Sequence, residues 1–160
     1  MNETKLDALK KILDGYELKQ KQQSQQRDDR RTALEKFLAD FMETVQTTIT
    51  PSFEEFSAGL KARGHPCTIG LEKPTGPHDS LTTAKITLTI FPDSATLTHG
   101  NPFISYTASP NQRKVSVHRN TITSSGGTLA SSIGEYTLGE LSREIVEQHL
   151  LDLAETIFSR

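Results

Sequence analysis

The sequence predicts an α+β fold: N-terminal helices, an antiparallel β-meander of four to five strands, and a C-terminal helix packed on one sheet face. Three observations carry this. Apolar residues recur at helical spacing as far as Leu60, alternate singly after Pro66, and return to helical spacing after Thr137. The turns at Pro92–Ser94 and Ser109–Gln112 are too short for the crossovers that parallel strands need, so the strands they join are antiparallel. Helices on one face of such a sheet bury every apolar stripe at once.

The first helix is expected over about residues 3–16. Leu6, Leu9, Leu13 and Tyr16 form a narrow stripe, widened by Ile12, and Gly15 weakens or caps its end. From Glu17 to Arg31 the only apolar residue is Leu18. A stretch so polar cannot offset its ordering entropy by burial, so it reads as a solvated helix or a linker. The heptad frame continues through it, yet Gln20, Gln23, Arg27 and Arg30 occupy four successive seam positions. A parallel homodimer would set Arg27 and Arg30 against their own copies, which disfavours a continuous parallel coiled coil.

Thr32 and Glu35 have the spacing of a capping box, so a second helix is expected to start there. Leu34, Phe37, Leu38, Phe41, Val45 and Ile49 give it a broad face suited to a globular core. Thr50-Pro51 marks a kink or a new helix start, Phe53, Phe56 and Leu60 continue the stripe, and Gly64 and Pro66 end it. The expected organisation is therefore a helical arm with a linker-like stretch, residues 1–31, and one α+β domain, residues 32–160.

Alternation places strands at Cys67–Glu72, Ala84–Phe91, Phe103–Ala108 and Arg113–Arg119. A weak strand is expected at Ala95–Thr98 and an edge strand at Thr128–Tyr136. The final helix is expected from a capping box formed by Thr137 and Glu140, with Leu141, Ile145, Leu150, Leu153 and Ile157 along its apolar side.

Composition limits the function. The apolar fraction is 34%, about 40% with glycine and below the usual 45–50%, and the deficit lies in the polar stretch. A net charge of −2 with interspersed signs argues against a nucleic-acid or anionic-membrane footprint. Cys67 is the single cysteine, which rules out an intrachain disulfide. No signal-peptide pattern or bilayer-length apolar run is present, and a cytoplasmic location is the default expectation.

Chemical constellations are sparse. His65, Cys67 and His78, with Asp79 alongside, are the closest approach to a zinc set, but the paired spacings of structural zinc sites are missing. A Cys67 nucleophile activated by His65 is the enzymatic alternative, against which stands a small buried thiol beside a solvated histidine. The segment Thr123–Thr128 lacks the lysine and following helix of a phosphate loop and reads as a turn. Arg113, Lys114, His118 and Arg119 gather on one strand. Lys114 and His118 fall on one face with Lys85, where Phe91 and Tyr106 are candidate base stackers, and Arg113 and Arg119 fall on the other. Edge protection by charge explains the set equally well.

These readings lead to a non-enzymatic interaction or oligomerisation module, adaptor- or chaperone-like. It is expected to act through Leu6, Leu9, Leu13 and Tyr16 on a second protomer or a protein partner. No catalytic set, cofactor or metal is expected, nor a membrane partner. The alternatives are a binding module taking a small ligand or nucleic acid at Lys85, Lys114 and His118, and an enzyme using His65 and Cys67.

Overall fold

The computed structural model describes residues 2–76, 83–92, 101–122 and 128–159. The chain divides into two compact units, Met1–Lys36 and Phe37–Arg160. Helix α1 spans Glu3–Thr44, a π-helical turn covers Val45–Ile49, and α2 spans Thr50–Lys61. Strands β1 (Cys67–Glu72), β2 (Lys85–Ile90), β3 (Phe103–Ser109), β4 (Lys114–Ile122) and β5 (Thr128–Tyr136) follow, then α3 (Arg143–Phe158). The strands form one antiparallel sheet in the order β1-β2-β3-β4-β5. This is the α+β meander that the periodicities predict. The segment expected as a weak strand at residues 95–98 lies outside the described residues.

The separate start expected at Thr32 is corrected. Helix α1 runs through the polar stretch without a break, and the Thr32 hydroxyl donates to the Asp28 carbonyl one turn back (2.9 Å). A capping pattern surrounded by good helix formers such as Gln, Lys, Arg and Glu does not end a helix, because most residues there favour continuing it. The real irregularity comes at Pro51. Proline has no N–H to offer the Thr47 carbonyl, and the turn before it widens so that Thr50 N–H reaches the Val45 carbonyl. The Thr44 and Thr47 hydroxyls donate to the Asp40 and Glu43 carbonyls (3.0 and 2.8 Å). Gly64, in the left-handed region at φ +87°, closes α2.

The Thr137–Glu140 capping box exists, but it caps a short 3₁₀ turn, Leu138–Glu140. Helix α3 begins at Arg143, where the Ser142 hydroxyl accepts from Ile145 N–H (3.3 Å). The helix start read from the sequence is thus several residues early.

The core lies between one sheet face and the helices of the second unit. Phe41, Val45, Ile49 and Phe53 from the helical side meet Ile86, Leu88, Ile90, Ile104, Tyr106, Val115 and Val117 from the sheet, and α3 adds Val146, Leu150 and Leu153. Each is almost wholly removed from water.

Candidate interaction surfaces

Three places carry the chemistry singled out in the sequence, and the fold adds a fourth. The first is the arm. Leu6, Leu9, Ile12, Leu13 and Tyr16 sit on a formed helix with relative exposures between 42% and 67%. Large apolar side chains normally lie inside; here five share one helical stripe in water.

The second is the open sheet face. Register places Lys85 beside Thr107 and Ser116, Lys114 beside Ser109, and His118 beside Ser105. All three candidate ligand-facing residues therefore share the face opposite the helices. They do not converge: each belongs to a different cross-strand row, and Lys85 stands opposite Glu72 of β1. The face otherwise carries mainly Ser and Thr hydroxyls, with Phe103, Asn120 and Glu135 among them. Tyr106 is corrected from this face to the other one, where it is fully buried among Ile104, Ala108 and Val117. Arg119 is also on the helical side, opposite Ile104, and Arg113 lies in the β3–β4 turn in a left-handed conformation (φ +53°).

The third is the His65–Cys67 region. The Cys67 thiol points at the His65 main-chain carbonyl (3.7 Å), while the His65 ring lies against Phe158 with centroids 4.7 Å apart. Burial pushes the thiol pKa up, only partly opposed by a hydrogen bond from Ser57. An activated cysteine needs the opposite shift and an imidazole facing the sulfur. His78 and Asp79, the remaining members of the zinc reading, lie outside the described residues. Among the described residues no three His, Cys, Asp or Glu side chains converge as metal ligands.

The fourth was not anticipated. His149, on the sheet-facing side of α3 and 7% exposed, has Nδ1 2.8 Å from Tyr106 Oη and Nε2 3.1 Å from Tyr136 Oη. Both ring nitrogens are satisfied by hydroxyls on two different strands. Desolvation lowers the His149 pKa; Asp152 opposes the shift and Arg119 reinforces it. A neutral imidazole donates from one nitrogen and accepts at the other, so one tyrosine accepts and the other donates. The signal in the sequence was a histidine inside the Val146, Leu150, Leu153 stripe.

No helix among the described residues is long and apolar enough to cross a membrane. No known protein family, curated protein or solved structure matches the chain.

Proposed function

We propose that the protein is a non-enzymatic oligomerisation or protein-interaction module acting through the apolar stripe of its N-terminal arm. The observation that carries this is the contrast between the two units. The large apolar residues of the arm are exposed, whereas every buried apolar residue described lies at Phe37 or beyond. A second copy in antiparallel orientation is the simplest occupant. Leu6 of one copy then meets Tyr16 of the other, and Leu9 meets Leu13, with the two Ile12 side chains near the symmetry axis. In that register Arg27 and Arg30 lie beyond the overlap, so the polar seam positions do not oppose one another.

Light scattering on the full chain and on a Leu9→Glu/Leu13→Glu variant tests this reading. The expected result is a mass above the monomer that falls to the monomer in the variant. A full-length chain already monomeric at high micromolar concentration overturns the homotypic form. A second reading, a small anionic ligand on the open sheet face, is favoured by Lys85, Lys114 and His118 sharing that face. It is weakened by Glu72 opposite Lys85. Amide shifts at those three residues on adding inorganic phosphate would support it.

A further inference from the structure

We infer that the free edge of β1 pairs with the same edge of a second copy, antiparallel, about a two-fold axis at Gly70. This surface belongs to the second unit and is independent of the arm.

Backbone geometry comes first. Phe91 N–H donates to the Pro66 carbonyl (2.9 Å), which fixes the alternation along β1 because antiparallel pairs exchange bonds at every second residue. Thr68, Gly70 and Glu72 therefore aim their N–H and C=O groups at β2. Cys67, Ile69 and Leu71 aim theirs away from the sheet. Among the described residues β1 ends the sheet order, and its burial runs from half-buried Cys67 to exposed residues at every later position.

The two edges of the sheet are treated differently. Strand β5 carries a register shift against Val117 and His118 that leaves Ile133 as an extra residue; a bulge twists an edge and spoils it as a template. Strand β1 has no such device. Its six residues pair with β2 without a shift, it contains no proline, and its one charge is the terminal Glu72. On its helix-side face Ile69 and Leu71 remain 38% and 41% exposed.

Side chains then choose the register. Centred on Gly70, Ile69 of each copy opposes Leu71 of the other in hydrogen-bonded pairs, and Thr68 opposes Glu72. Centring on Ile69 leaves Leu71 opposite Cys67, and centring on Leu71 sets Lys73 against Ile69. Centring on Glu72 brings two carboxylates together, which is destabilising. Registers centred between residues match outward-facing with inward-facing backbone groups and lose the bonds. Only the Gly70 register joins both apolar residues and separates the charges. Its axis falls on a non-hydrogen-bonded pair, the closer kind, with Cα atoms about 4.5 Å apart. A groove of about 590 Å³ whose lining includes Ala39, Met42, Glu43, Gln46, Leu71 and Lys73 opens on the helix side and gives the incoming Ile69 room.

Six residues a side is well short of the roughly 20–30 a side of a stable interface, so the contact is transient and is best trapped. A Cβ built at Gly70 meets nothing within 4 Å, so Gly70→Cys is tolerated, and about 4.5 Å between Cα atoms suits a disulfide. In a full-length Cys67→Ser chain under mild oxidation, Gly70→Cys is expected to form a disulfide dimer about tenfold or more faster than Thr68→Cys, whose symmetry mate is four residues out of register. The Thr68→Cys/Glu72→Cys pair is expected to cross-link as well. Equal rates for Gly70→Cys and Thr68→Cys overturn the proposal. Repeating the experiment with Leu9→Glu/Leu13→Glu separates the two surfaces: retained cross-linking assigns the contact to the edge, and its loss overturns the edge as an interface of its own.

Discussion

Tyr106 and His149, 43 residues apart in the chain, meet with Oη and Nδ1 2.8 Å apart in a place almost closed to water. The contact ties α3 to the middle strand of the sheet, and Tyr136 on β5 holds the other ring nitrogen. Tyr106 also packs against Phe53 of α2, with ring centroids 5.9 Å apart. One polar cluster thus fixes how both helices sit on the sheet.

Removing both members of the contact should therefore cost less than the two single losses added together. His149→Leu leaves the Tyr106 hydroxyl buried without a partner, a loss of about 1–3 kcal/mol. Tyr106→Phe leaves His149 Nδ1 in the same position. The double variant should be less destabilised than the sum of the two, by about 0.5–3 kcal/mol in a double-mutant cycle of urea midpoints. Strict additivity would show that the hydrogen bond contributes nothing to the fold.

The same histidine gives a pH dependence of known sign. Its folded pKa lies below the ordinary 6.5, first through desolvation and then through Arg119, with Asp152 opposing. The unfolded chain therefore binds the proton more readily. The stability this residue contributes is fully present above about pH 6.5 and is lost as pH falls toward the folded value. Between pH 7.5 and 5 the urea midpoint should fall more steeply for the native protein than for His149→Gln. Parallel slopes would sink the assignment.

Leu150 offers the plainest packing test. It is 1% exposed on α3, and Leu150→Ala should cost about 2–5 kcal/mol, the transfer term plus the cavity. Denaturant unfolding measures it, and a change near zero would mean that α3 does not bury this face.

Cys67 should be slow to react. A half-buried thiol whose pKa is raised by burial holds less thiolate at neutral pH than a free cysteine. Alkylation by iodoacetamide at pH 7 should lag behind that of a short cysteine peptide. Faster reaction would revive the nucleophile reading.

How much of this was legible varies with the kind of signal. Ile86, Leu88 and Ile90 alternate with Lys85, Thr87 and Thr89, and the sheet follows that pattern because one face is buried and one is not. The unbroken α1 was harder to foresee. Residues 17–31 bury nothing, so periodicity is silent there and only propensity argues for helix. Thr137 and Glu140 formed the capping box they promised, but a box specifies a local turn and does not say how far the helix extends. Reading Tyr106 as a base stacker needs the open face, whereas its alternation with Ile104 and Ala108, two residues to either side, turns it inward. The partner that satisfies its hydroxyl, His149, arrives only with tertiary structure.

The last prediction separates the arm from the core. Described residues from Asn2 to Thr32 are all exposed, and burial of apolar residues begins in earnest at Phe37. Deleting residues 1–31 therefore removes no described core side chain and no member of the Tyr106–His149–Tyr136 cluster. The new N-terminus falls within α1, ahead of Phe37, Leu38 and Phe41, which stay attached to a helix that packing supports. The urea midpoint of the truncated chain, measured at low concentration where both forms are monomeric, should match that of the full chain within about 0.5 kcal/mol, the usual range for surface changes. Its sheet circular dichroism should be unchanged, while the loss of the Leu6, Leu9, Leu13 and Tyr16 stripe should lower the solution mass. Unfolding of the truncated chain together with a monomeric full-length protein would make the arm part of the core and remove the basis for assigning it a partner.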